Sequence, residues 1–252
     1  MIGSDAWIVV PAKSFAMAKC RLSPLLSDSE RAMLARMMLS DVLGAAGGAL
    51  GPRNIAVVTN SDEVAMEALR LGVEVIDDGY AAGTNDAIKA GLAAVGERGG
   101  RCVVILPSDV PTVLSEDISG LLAALKRGYM AIVPATRDGG TNALAINLPG
   151  QLELCFGAQS FARHVSAANQ IGIKPKVVLN GRIGLDIDQP EDLFHFLQRN
   201  TATATDRYLR SIGAPERWHD AAFAVAPANA SMREPNSGFL RPAISCPSLH
   251  KQ

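Results

Sequence analysis

The stretch Cys102–Pro111, CVVILPSDVP, decides how this chain is read. Its first four residues are apolar throughout, the pattern of a strand buried on both faces. The run then ends at a carboxylate, Asp109, held between Pro107 and Pro111. Proline fixes its own φ and restricts the residue before it, so Asp109 is expected on a stiff turn at the strand's carboxyl end. In open α/β sheets that edge is where ligands bind.

Comparable strands flank it on both sides: AWIVVP (6–11), NIAVVT (54–59), VEVID (73–77) and YMAIVPA (129–135). Helical periodicity fills the gaps. One helix opens at Ser27 and Glu30, which have capping-box spacing, and another closes at Gly72. NDAIKAGLAAVG (85–96) follows, then SEDISGLLAALKRG (115–128) with Ser115 as its cap. Continuous apolar strands alternating with amphipathic helices predict an α/β fold, its mostly parallel sheet covered on both faces.

The rhythm changes after Arg137. RDGGTNALAINL reads as a turn and a strand that can pair antiparallel, and GAQSFARHVSAANQIG as a helix. KPKVVLN and IGLDID read as short strands, and PEDLFHFLQR as a helix with Pro190 in its first turn. From about Gly213 the composition shifts to Ala, Pro, Asn and Ser. The expected organisation is one domain over 1–212 and a flexible tail over 213–252.

The totals narrow the function. In 252 residues, 48% are hydrophobic and 19% charged, which suits a soluble globular chain. A formal net charge of −1 gives no reason to expect nucleic acid as a partner. No stretch reads as a membrane span or a leader. Cys20, Cys102, Cys155 and Cys246 are widely separated, which excludes a C-x-x-C metal site and suits a reducing cytoplasm.

A second acidic feature echoes the first. IGLDIDQPED places Asp186 and Asp188 two apart, so on a strand both would face the same way. Carboxylates so placed repel unless a cation lies between them or one keeps its proton. Asp109, brought in from another strand end, would complete a hard-oxygen cage suited to Mg²⁺. The plainer alternative makes Asp188 the cap of the helix near Pro190 and leaves Asp186 solvated.

The loop after the first strand, PAKSFAMAKCRLSP, carries Lys13, Lys19 and Arg21. It contains neither G-x-G-x-x-G nor a Walker sequence, so charge would have to do what a glycine cradle does for a triphosphate. A solvated basic loop is the alternative. Gly83, with Asn85 at a helix start, can let backbone approach a planar base, or can be an ordinary helix entry. Thr141, Gly157 and Ser160 are candidate anion contacts; Ser160 near a helix start is equally a plain N-cap. His164 and His195 fall within helices and read as packing or surface. No Ser-His-Asp arrangement is legible.

Taken in order, VPAKSFAMAKCRLSPLL, LPSDVP, GGTNAL, FGAQSFARH and LDIDQPEDL resemble the 2-phospho-L-lactate guanylyltransferase family of coenzyme F420 biosynthesis, over about Trp7 to Leu209. The resemblance implies a GT-A-like nucleotidyltransferase that joins GMP from GTP to 2-phospholactate, phosphoenolpyruvate or 3-phosphoglycerate and releases pyrophosphate. The product would pass to the transferase that loads the coenzyme's deazaflavin precursor. By motif, Asp109, Asp186 and Asp188 would hold Mg²⁺, and Thr141, Gly157 and Ser160 the acid. Lys13, Lys19 and Arg21 match the basic first-loop positions. Cys20 stands where the family pattern has Ser or Thr, and Ser108 where Ala is common. The rival expectations are a GT-A sugar transferase using Asp186-x-Asp188, a nucleotidyltransferase acting on molybdopterin or a sugar phosphate, and a non-catalytic nucleotide-binding regulator. Oligomeric state is not legible.

Overall fold

In the computed structural model, the described residues are 5–218 except 80, 82 and 126–128. Seven strands form one sheet: β1 (Ala6–Pro11), β2 (Ile55–Val58), β3 (Glu74–Ile76), β4 (Cys102–Ile105), β5 (Tyr129–Pro134), β6 (Thr141–Asn147) and β7 (Lys174–Val177). Their spatial order is β3-β2-β1-β4-β6-β5-β7. All neighbouring pairs run parallel except those of β6, which is antiparallel to both β4 and β5. The antiparallel strand expected after Arg137 is therefore present. The reason is local: Gly140 donates its N–H to Asp138 Oδ1 at 2.8 Å, and its carbonyl accepts from Ala135 N at 2.9 Å, closing a tight return.

Around the sheet, the described residues form helices α1 (Asp28–Leu50), α2 (Asp62–Arg70), α3 (Thr84–Glu97), α4 (Ser115–Ala124), α5 (Ser160–Gln170), α6 (Pro190–Leu197) and α7 (Ala204–Ser211). Because side chains alternate along a strand, Ile8 and Val10 of β1 join one core with Leu39, Val42 and Ile118 from α1 and α4. Trp7 and Val9 join the opposite core with Ile88 and Val95 of α3 and Ala168 of α5. A third cluster seats Leu193 and Phe196 of α6 and Leu209 of α7 on Leu34 and Met38 of α1. It also buries Leu22, Leu185 and Ile187, which fixes the loops carrying Arg21 and Asp186.

Four local expectations are corrected. IGLDID is not a strand; Leu185 and Ile187 are buried while Asp186 and Asp188 are half-exposed, and one bond from Ile187 N to the Asp109 carbonyl, 3.1 Å, ties the segment to the β4 turn. Ser115 does not cap α4, because its hydroxyl donates to the Ala45 carbonyl at 2.9 Å and Asp117 accepts the Leu114 N–H instead. Packing continues past residue 212: Ala214 is buried, Arg217 pairs with Glu30 at 2.8 Å, and the Trp218 ring stacks on Phe194 at 5.0 Å. Residues 219–252 of the expected tail lie outside the described residues. Finally, α1 has the length and mean hydropathy, 1.2, of a membrane span, contrary to the reading that no stretch does. Its apolar side is taken up by the sheet, α4 and α7, as a core helix requires.

Candidate active site

The site lies at the carboxyl edge of β1 and β4. Lys19 is its centre: Nζ donates to Asp109 Oδ2 at 2.6 Å and lies 3.7 Å from Asp188 Oδ1. Its backbone takes the left-handed conformation, φ 55°, which a non-glycine residue rarely adopts and which marks strain retained at a site. Burial works against the Lys19 charge, but Asp109, with Asp188 and Asp186 behind it, outweighs that and raises the ammonium's pKa. Arg21, on the outer side, donates to Asp188 Oδ2. Asp186 is the more enclosed carboxylate. Burial first, and the charge of Asp109 second, raise its pKa against the opposing bond from Asn142 Nδ2 at 2.9 Å.

Asp109 and Asp188 thus meet at one cation, the Lys19 ammonium, while Asp186 is bonded to Asn142 and acts on Lys19 only through its charge. Among the described residues no three acidic, His or Cys side chains stand as a ready metal cage. The alternative in which Asp188 caps α6 is also corrected. Asp192 Oδ2 accepts the N–H groups of Asp188 and Gln189, at 3.1 and 2.8 Å, so the Asp188 side chain is left for Lys19 and Arg21.

The first loop is held from α2. Glu63 Oε1 accepts from Ser14 Oγ at 2.7 Å, Phe15 N at 2.8 Å and Ala16 N at 3.4 Å. The Ser14 bond leads in lowering the Glu63 pKa. Lys13 remains exposed at the loop's entrance. Nothing in SDEVAMEALRLG signals this anchoring, since Glu63 there reads only as a first-turn acid.

Beside the carboxylates stands a hydroxyl pair. Since β6 is antiparallel and pairs Leu144 with Ile105, its first residue, Thr141, comes level with the Pro107–Asp109 turn. Ser160 Oγ donates to Thr141 Oγ1 at 3.1 Å, and His164 Nδ1 lies 3.0 Å from the same oxygen. Cys155 N–H donates to His164 Nε2 at 3.1 Å, so a neutral ring carries its proton on Nδ1 and gives it to Thr141. The Thr141 oxygen then accepts twice, and its own proton is free to donate. Burial, helped by the charge of Arg163, lowers the His164 pKa to about 4, which keeps the ring neutral. His164 is thus packing, as its helix suggests, and also sets the orientation of Thr141. Ser160 is not the N-cap: Gln159 is, and Ser160 is a fully buried first residue of α5. Gly157, at φ 124°, has a backbone that side chains rarely adopt, and its carbonyl accepts the Ser160 N–H.

The two residues read as base contacts fare differently from expectation. Gly83 is extended at φ 174° and a Cβ there would meet nothing, so its backbone needs no glycine. Asn85 exchanges two bonds with the Phe156 backbone, at 2.8 and 3.1 Å, which takes up its amide and ties α3 to the Gly157 segment. A cavity of about 340 Å³ adjoins the Lys19–Asp109–Asp188 cluster, lined among others by Lys13, Lys19, Asp78, Thr84, Asp109 and Asp188. Of the predicted residues, Lys19, Arg21, Asp109, Asp186 and Asp188 form one cluster, and Thr141 and Ser160 a second, joined through Asn142. Asn142, Glu63 and Asp78 were missed.

A family model described as guanylyl transferase CofC like matches residues 6–226. A 3-phospho-D-glycerate guanylyltransferase of Phenylobacterium zucineum is 39% identical over 69% of this chain and 82% of its own. A phosphoenolpyruvate guanylyltransferase of Rubrobacter xylanophilus is 36% identical over 75% and 92%. A 2-phospho-L-lactate guanylyltransferase of Methanothermobacter thermautotrophicus is 32% identical over 81% and 89%. Among solved structures, a Desulfovibrio desulfuricans protein assigned as a nucleotide-diphospho-sugar transferase superposes with TM-score 0.68 at 17% identity, over 86% of this chain and 98% of that one. A nucleotidyl transferase of Methanothermobacter does so at 0.53 and 16%, over 83% and 100%. These last two bear on the fold, which is that of the nucleotidyltransferases.

Proposed function

The chain belongs to the guanylyl transferase CofC-like family, and from that premise we propose that it transfers GMP from GTP to a small phosphorylated carboxylic acid in coenzyme F420 biosynthesis. The acid is 3-phospho-D-glycerate, phosphoenolpyruvate or 2-phospho-L-lactate, the substrates named in the relatives. What carries the reading is the juxtaposition of a three-carboxylate, two-cation cluster with the Thr141–Ser160 pair.

In the reaction, a phosphate oxygen of the acid forms a bond to the α-phosphorus of GTP. The bond from that phosphorus to the β-phosphate oxygen breaks, and pyrophosphate leaves. A phosphate monoester has its second pKa near ~6, so the nucleophile is already ionised and needs no general base. Repulsion between anions is the obstacle, and positioning with electrostatic stabilisation is how such transfers are accelerated. Lys13, Lys19 and Arg21 counter the triphosphate charge. Thr141 donates its free proton to the acid, with Ser160 and the Gly157 backbone beside it. Asp109, Asp186 and Asp188 suit a divalent cation by donor type, since all three are hard carboxylate oxygens. Such a cation, Mg²⁺ in this reading, would neutralise charge on the reacting phosphates when bound.

The described cysteines are free thiols, which suits a reducing cytoplasm. The activated acid would go on to a downstream transferase. The test is to incubate the protein with GTP, Mg²⁺ and each acid in turn and follow pyrophosphate. We expect release that depends on acid and metal, and Asp109→Asn to abolish it while the circular dichroism spectrum is unchanged. Release of nucleoside diphosphate instead would indicate a sugar transferase, and full activity in the variant would remove Asp109 from the mechanism.

A further inference from the structure

The end of the cavity away from the carboxylate cluster contains a charged group that the reaction above does not use. Asp78 lies just beyond β3 and lines the cavity together with Thr84 and Ala87 of α3. Its Oδ1 is buried and has no hydrogen-bond partner among the described residues. A buried carboxylate oxygen without a donor is costly, and native structures seldom leave one without a reason. Burial first, and the neighbouring charge of Asp77 second, raise its pKa, against a hydrogen bond from its own backbone N–H and the charge of Lys13. Among the described residues, Oδ1 is thus short of a donor.

Position indicates what supplies one. In the sheet order, β3 and β4 are separated by β2 and β1. At the usual spacing of about 4.8 Å per strand, Asp78 and Asp109 stand roughly 14 Å apart along the edge. A nucleotide with its phosphates at Lys19 and Asp109 covers such a span with its base. Among the common bases, guanine alone presents two adjacent donors, N1–H and the 2-amino group, which match the two oxygens of a carboxylate. Adenine and cytosine would each turn a ring-nitrogen lone pair toward it, and uracil offers a single N–H between two carbonyls.

Resting on the guanylyltransferase reading, we propose that Asp78 is the residue that selects guanine, accepting from N1–H and the 2-amino group of GTP. Asn85, by contrast, is taken up by Phe156 and does not read the base.

The test is base selectivity in the intact protein. Wild-type kcat/KM is measured with GTP, ITP, XTP and ATP, alongside direct equilibrium binding of each nucleotide with Mg²⁺ present. ITP lacks the 2-amino group and should fall about ten- to hundredfold below GTP, the worth of one hydrogen bond to a charged group. Asp78→Asn replaces one acceptor by a donor. It should lower kcat/KM for GTP at least tenfold, mainly through KM, and raise that for XTP, whose 2-carbonyl accepts from the new amide. A gain with XTP also shows that the variant is folded. Unchanged selectivity in Asp78→Asn, as expected of a carboxylate that only balances Lys13, overturns the assignment. Absence of turnover in the wild type would defeat the guanylyltransferase reading separately. Binding then still decides: GTP binding weakened by Asp78→Asn supports the role, and binding of GTP no tighter than ATP, or unaffected by the variant, ends it.

Discussion

At the scale of single residues, the site is built from side chains whose partners lie far off in the sequence. His164 shows the consequence most directly. Its ordinary pKa is 6.5 and its folded value is about 4, so the folded ring stays neutral where the unfolded one takes up a proton. The unfolded state binds the extra proton as pH falls through 6.5 towards 4, and stability must decline across that window, by roughly 3 kcal/mol in full. His164→Gln can keep the bond from Cys155 N–H but does not titrate. We expect it to flatten the difference in urea midpoint between pH 7 and pH 5, and an unchanged difference would mean that another group governs it. The charged residues Asp109, Lys19, Asp186 and Asp188 stood out in the sequence because charge is conspicuous beside apolar runs. The orienting residues did not. Asn142 reads as one polar residue in a strand until Asp186, distant in sequence, is seen against it.

At the scale of elements, one carboxylate at the start of α2 holds the first loop, which receives the nucleotide in the proposed reaction. Glu63→Gln conserves shape but weakens three bonds made to a charged oxygen. The loop would then cost more to order at the moment GTP binds. KM for GTP should rise about tenfold while kcat changes less, and steady-state kinetics with the acid saturating will show it. Element types were largely readable, from period and caps; the Ser27–Glu30 capping box is present, with Glu30 N donating to Ser27 Oγ at 3.4 Å and Ser27 N to Glu30 Oε2 at 2.8 Å. Caps failed where tertiary partners competed for the side chain. Ser115 bonds Ala45 of α1, Ser160 bonds Thr141 of β6, and Asp192 takes the capping role that the plainer alternative gave to Asp188.

At the scale of the whole molecule, the C-terminal helices pack on α1 and support the loops of the active site through the third core cluster. The contacts of Ala214, Arg217 and Trp218 extend that support beyond residue 212. A chain ending at Ile212 loses the Trp218–Phe194 stack and the Arg217–Glu30 pair, and should be about 2–3 kcal/mol less stable than one ending at Trp218. Chemical denaturation of both truncations measures the difference, and equal stabilities would return the domain boundary to 212. From the sequence alone came the sheet's parallel part, the helices over both its faces and the residue types of the Lys19–carboxylate cluster, because apolar periodicity and isolated charges are local signals. Only the tertiary structure decided which side chains meet: that Lys19 lies among the carboxylates, that an antiparallel β6 brings Thr141 level with the Asp109 turn, and that one buried oxygen of Asp78 finds no partner among the described residues. Such pairings depend on how strands are ordered across the sheet, and no spacing along the chain encodes that order.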